Sequence, residues 1–174
     1  MAAAWVAALG NGRHLLRTRD WLVVLDPAAG EDLRIAALTH DVERNFPGSP
    51  LQPADRPAND RAYRDAHQAR SAELVTRWLL EYNANPAFIQ EVAALVRVHE
   101  WGGSPPADLL QAADSISFLE TTAQHAGNWI REGRYTRERT EEQLNWMLDR
   151  IRVPKARELA RPFFDAAVRG LGAD

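Results

Sequence analysis

Apolar residues in this chain recur at helical spacing and nowhere alternate over any length, and that constrains the fold more than any other feature. After Asn11, a residue type suited to precede a helix, His14, Thr18, Trp21, Leu22 and Leu25 recur at offsets of 4, 7, 8 and 11 and mark one helical face. Asp26-Pro27 stops this segment. A helix from about Gly30 to Arg44 puts Leu33, Ala37, His40 and Asp41 on its inner face, and a long one near Asp60 to Asn83 aligns His67, Ser71, Leu74, Val75 and Trp78. Past Asn85-Pro86, the stretch from Ala87 to about Glu100 groups Val92, Leu95, Val96 and His99. The helix near Ala107 to Leu119 groups Leu110, Ala113, Asp114, Ser117 and Phe118. Two or three further helices follow, roughly Thr122–Glu132, Arg137–Ile151 and Lys155–Leu171, separated by Gly133 and Pro154. The Ala-rich piece before Gly10 reads as a separate helical turn or two. With no internal repeat and no linker, the expected fold is all-α: one domain over 1–174, a compact bundle of about seven helices without significant β-sheet.

Composition removes several function classes. At 174 residues the chain fits a single core, and its net charge of -3 gives no general attraction to nucleic acid or to an anionic membrane. There is no cysteine, so disulfides, thiolate metal sites and a cysteine nucleophile are excluded. No apolar run approaches the roughly 20 residues of a membrane span. Ala2 to Leu9 has no basic region ahead of it and makes a poor signal peptide. A cytoplasmic location is the expectation. The basic residues are nearly all arginine, with Lys155 the only lysine.

The polar residues on the apolar stripes carry the chemistry. Four of the five histidines, His14, His40, His67 and His99, fall on the inward faces of four different helices, as do Asp41 and Asp114. Buried imidazoles and carboxylates are costly unless paired, hydrogen-bonded or bound to metal. One such histidine is an ordinary core residue. Six such groups from five helices can meet in one place if the helices pack together, which is how bundles build metal sites.

The ordered set His14 … His40-Asp41 … His67 … His99 … Asp114 resembles the HD-domain superfamily of metal-dependent phosphohydrolases, and within it the H…HD…H…H…D branch that binds two metals. His14-Leu15-Leu16-Arg17 looks like that family's opening H-x-x-R, and Ala112 to Ser117 like its closing aspartate on a helix. The likeness covers about residues 11 to 120, the metal-binding core, and leaves 121–174 as C-terminal helices packed on it.

The resemblance implies a role for each residue. His14, His40, Asp41 and Asp114 would hold the first metal, Asp41 would bridge, and His67 and His99 would complete the second. Oxygen and nitrogen ligands without thiolate suit Mn²⁺, Fe²⁺, Co²⁺, Ni²⁺ or Mg²⁺. A mononuclear site, with His67 and His99 as pocket residues, is the plainer alternative. Asp41 and His40 would hold the metal-activated water. Arg44 and Arg17 are the expected substrate contacts, Arg44 alternatively being an i,i+3 partner of Asp41. Glu43 is either a partner behind the ligands or a surface charge, and His125 a surface residue.

The breaker-rich stretch Asn45 to Asn59 is a lid, a pocket wall or a solvated connector. Trp101 to Ser104 lines the pocket mouth or simply ends a helix. The implied activity is hydrolysis of a phosphoester or phosphoanhydride in a small nucleotide-like or sugar-phosphate substrate, with no nucleic-acid or membrane partner. The alternatives are a di-iron HD-type oxygenase and a non-catalytic regulatory HD domain. The segment Arg134 to Arg152 either packs back on the domain or forms a homodimer.

Overall fold

The computed structural model describes residues 1–50 and 54–172. Within them the chain forms α1 (Ala2–Ala7), α2 (Gly12–Leu25), α3 (Glu31–Thr39), a 3-10 turn (Val42–Asn45), α4 (Arg61–Glu81), α5 (Pro86–Val96), α6 (Pro105–Thr121), a second 3-10 turn (Ala123–His125), α7 (Ala126–Arg131), α8 (Arg137–Asp149) and α9 (Pro154–Gly170). No strand occurs among the described residues. The all-α expectation holds. Seven helices are longer than one or two turns, and α1 and α7 are six-residue pieces. No described helix is long and apolar enough to cross a membrane.

Side-chain caps set the helix starts, by accepting from backbone N–H groups that the first turn leaves unpaired. Asp60 Oδ1 accepts from Tyr63 N at 2.9 Å, Asn85 Oδ1 from Ala87 N at 2.8 Å, and Thr136 Oγ1 from Arg139 N at 3.1 Å. Pro86, Pro105 and Pro154 occupy first-turn positions, where a missing N–H costs nothing. Gly12 allows α1 to approach α2, because a Cβ there would collide with the Val6 carbonyl oxygen.

The helices pack as two apolar clusters that share α6. One gathers residues of α1 to α5, with Leu110 and Ala113 of α6. The other gathers Ala112, Ile116 and Leu119 of α6 with residues of α8, α9 and the short segments between. Trp21 and Leu25 of α2 pack against both. α6 is therefore buried all round, without a break from Leu110 to Ser117, and the polar side chains it carries inward must find partners inside.

Two expected helices end early. The segment taken as one helix to Arg44 leaves α-geometry after Thr39, and Asp41 sits at φ -118°, ψ 20°, a sparsely allowed region where active-site residues often lie. α5 ends at Val96, so His99 and Glu100 lie in the turn beyond it. The breaker-rich loop includes 51–53, which lie outside the described residues.

Candidate metal centre

Four imidazoles form a continuous row. His14 and His40 have ring centroids 5.3 Å apart, His40 and His99 4.9 Å, and His99 and His67 5.2 Å, each pair edge to face. His14 and His67 come from the interiors of α2 and α4. His40 and His99 use one local device twice. Each lies just past a helix end and its Nδ1 bonds a carbonyl three residues back, Ala37 O at 3.1 Å and Val96 O at 2.8 Å. A carbonyl accepts only, so both rings carry the proton on Nδ1.

The other two rings reach the same tautomer through side chains. His67 Nδ1 lies 2.7 Å from the fully buried Glu43 carboxylate. Ser117 Oγ donates to the His14 carbonyl at 2.7 Å, which leaves it to accept from His14 Nδ1 at 2.9 Å. All four Nε2 lone pairs are thus directed away from the anchoring bonds and toward the carboxylates. Nε2 of His40 and of His67 makes no hydrogen bond, although carboxylate oxygens lie 3.3 and 3.0 Å away. Lone pairs that meet oxygens without hydrogen-bond geometry are the donor arrangement a divalent cation requires.

Three groups of ligand atoms lie within 4.8 Å of one another: His14, His40 and Asp114; Asp41, His67 and His99; and His99, Glu100 and Asp114. All six expected ligands are therefore brought together, and these clusters can hold metal ions. The partition differs from the expected one. Asp41 falls only in the His67–His99 group, and Asp114 is the carboxylate found in two groups. Loss of α-geometry after Thr39 separates His40 and Asp41, and local bonds then hold Asp41. Asn11 Nδ2 donates to its carbonyl at 2.9 Å and to Oδ2 at 3.2 Å, and Arg44 Nε lies 2.8 and 2.7 Å from its two carboxylate oxygens. Asn11 makes no side-chain cap for α2, because its Oδ1 instead accepts from Asn45 Nδ2 at 2.7 Å.

Opposed charges keep the two carboxylates ionised, the form that binds metal. Burial pushes the Asp114 carboxyl up, but Arg150 and His40 outweigh it and hold it well below the ordinary range. Burial likewise opposes ionisation of Asp41, and Arg44 and His67 overcome it. Burial pushes His99 down to about 3, so it is neutral at ordinary pH. Burial also lowers His40 and His67, yet carboxylate neighbours leave both raised.

Beside this row opens a cavity of about 330 Å³, whose deep wall includes His14, Asp41, His99 and Asp114 with Arg44, Arg64 and Arg150. Phe118 of α6 lines it too, with Trp129, Tyr135 and Met147, so the C-terminal region supplies a wall that the 45–59 loop was a candidate for. No described residue of that loop lines it, nor do Trp101 to Ser104, whose turn bonds Gly102 N to Val98 O at 2.8 Å. Arg17 does not line it either, which corrects its expected substrate role. Its Nε and Nη2 bind Glu120 at 2.9 and 3.0 Å, and that carboxylate also takes the Trp21 indole N–H.

Arg44 lines the cavity and is the i,i+3 partner of Asp41 that was its alternative reading. Glu43 is a partner behind His67, and His125 is exposed. The residues not foreseen are Arg64, Glu100, Trp146 and Arg150. Glu100 is buried between the two guanidiniums, with Arg64 Nη1 at 2.6 Å from Oε1 and Arg150 Nη1 on Oε2. Both arginines stack on the Trp146 ring, 4.1 and 4.5 Å from its centroid. The adjacency of Glu100 to His99 was the one available sign.

A family model described as a domain of unknown function (DUF4202) matches residues 12–152, a span that includes every residue of the histidine row and Arg150. No curated protein and no solved structure matches.

Proposed function

This chain belongs to the DUF4202 family, and we propose that it is a metal-dependent phosphohydrolase of the HD type, acting on a phosphoester or phosphoanhydride in a small phosphorylated molecule. The observation that carries this reading is the common tautomer: four histidines from separate elements all bond outward through Nδ1 and offer Nε2 among Asp41 and Asp114. A structural histidine has no need of that alignment, whereas a ligand does. Two divalent ions fit the two principal groups. Bound there, such ions would supply Lewis acidity to a phosphoryl oxygen and to a water molecule.

The chain's own residues do the rest. Arg44 bonds Asp41 through Nε and Tyr63 Oη through Nη1 at 2.8 Å, so Nη2 stays available to an anion in the cavity. Arg64 and Arg150 add fixed positive charge to the same wall. Guanidiniums match the planar, multidentate oxygens of a phosphoryl group better than ammonium would. The cavity volume of about 330 Å³ suits a small molecule rather than a polymer.

The test is elemental analysis of the purified protein, followed by assay of phosphomonoesters, phosphodiesters and dinucleoside polyphosphates with Mn²⁺, Fe²⁺, Co²⁺ and Ni²⁺. Phosphate release that depends on metal and disappears in Asp41→Ala is expected. Full turnover in Asp41→Ala would sink the reading. Oxygen consumption by an iron-loaded protein with no hydrolysis of any panel member would replace it with an oxygenase.

A further inference from the structure

Asp114 is shared between two candidate groups, one with His14 and His40, the other with His99 and Glu100. The side chain that separates these possibilities is Arg150, just past the end of α8. Its side chain is only 6% exposed. Nη2 donates to Asp114 Oδ2, Nη1 donates to Glu100 Oε2, and Nε donates to Ser115 Oγ at 2.8 Å. One planar fork therefore engages both carboxylates of the His99–Glu100–Asp114 group. The other Asp114 oxygen, Oδ1, faces His14 Nε2 at 3.2 Å and His40 Nε2 at 3.3 Å. Trp146 supports the guanidinium plane from one side.

We propose that Arg150 is a positioning residue that assigns Asp114 to the His14–His40 metal group and withholds it from the competing one. This inference rests on the metal-centre reading above. Its physical basis is the shape of guanidinium. Two N–H groups in a rigid plane fix two carboxylates in register, which a point charge on a flexible stem does not do. Glu100 is itself anchored, by Arg64 on Oε1 and by Gln68 Oε1, which accepts from its N–H at 2.9 Å. The fork thus hangs from a fixed point, and Asp114 is the member it orients.

Removing the fork while keeping the charge separates positioning from simple electrostatics. A bystander arginine that acts only through its charge can be replaced by lysine with no loss of metal binding. Loss of an orienting arginine weakens it. Arg150→Lys is the variant to use, because it keeps the charge that the buried Glu100 and Asp114 need while removing the fork.

The metal-freed full chain is titrated with Co²⁺ by calorimetry, and the visible spectrum of bound Co²⁺ reports its ligands. The binding event lost in His14→Ala identifies the first group, and that lost in His67→Ala the second. In Arg150→Lys the first event is expected to weaken by about 10- to 100-fold, with a changed spectrum, while the second shifts by less than about threefold. Arg152→Ala, whose side chain holds Trp101 O and Asp108 at the surface, is expected to leave both events alone. Wild-type affinity and spectrum in Arg150→Lys, or tighter binding, overturns the assignment. A wild-type protein that takes up no Co²⁺ removes the metal-centre reading itself, a separate result.

Discussion

The two principal groups of ligands use the same chemistry but are supported differently. Asp114 is held by Arg150, a buried side chain delivered from the far end of α8, 36 residues away in sequence. Asp41 is held by Arg44, three residues along the chain, whose side chain is 38% exposed. The first carboxylate is oriented by tertiary structure and cannot lose its partner without disturbing Glu100, Ser115 and Trp146. The second is oriented by a local turn and a guanidinium that also faces the cavity. One group is thus fixed by tertiary structure at the base of the site, and the other by a local pair that solvent reaches.

The largest expected effect comes from removing each carboxylate in the metal-free protein. Asp114→Ala leaves a buried arginine short of a partner, a change that typically costs about 3–5 kcal/mol. For a chain of this size that is a fall in Tm of order 10 °C. Asp41→Ala leaves Arg44 with access to solvent, and the loss should be about 1 kcal/mol, the scale of an exposed pair. Thermal unfolding by circular dichroism checks both. Equal losses would erase the proposed contrast.

The contrast also shows what was legible in the sequence. Helical periodicity pointed His14, His40, His67, His99, Asp41 and Asp114 inward, and all six are buried and meet, although His40, Asp41 and His99 lie past the ends of their helices. The partition of the ligands was not legible. It depends on where α3 stops, and the apolar pattern through Val42 continues past the end of the helix. Arg17 was misplaced because one turn of spacing from His14 says nothing about Glu120, an acceptor on α6 that lies 103 residues away. Arg150 was invisible for a similar reason. Leu144, Met147 and Leu148 announce a packed α8, but a buried arginine at its end is recognisable only once Glu100 and Asp114 are known to lie beneath it.

Acidity should also distinguish the rings. His40 and His67 are raised above 6.5, so in the metal-free protein their contribution to stability is complete below 6.5 and is lost as pH rises through their folded values. His99 is lowered from 6.5 to about 3, so its contribution is complete above 6.5 and is lost as pH falls toward 3. Tm of the metal-free chain should therefore pass through a maximum near the ordinary histidine value. Metal competes with protons for His40 and His67, so metal binding should release protons and strengthen as pH rises across the same interval. Calorimetry in buffers of different ionisation enthalpy counts those protons. Tm that climbs steadily from pH 6 to 9 without metal would contradict the assigned directions.

Glu43→Gln probes the second group more gently. The amide oxygen still accepts from His67 Nδ1, so the tautomer survives, but the charge behind the ring is lost. Affinity of the His67-containing group should fall by about 10-fold, the low end for partners behind a ligand, with the His14 group unchanged. Metal titration of the two events resolves this, and a loss confined to the His14 group would reverse the map.

The smallest effect should come from Arg17→Ala. Arg17 is 35% exposed at its side chain and bound to Glu120, outside both groups and outside the cavity. Glu120 keeps the Trp21 indole N–H at 2.7 Å after the substitution, so it is not left unpaired. The expected cost is under about 1 kcal/mol in stability, with no change in either metal event. If Arg17→Ala weakened the His14 event as Arg150→Lys does, orientation of the first group would depend on the opening turn of α2 as well as on α8. The fixed base of the site would then be shared between the two apolar clusters that meet at α6.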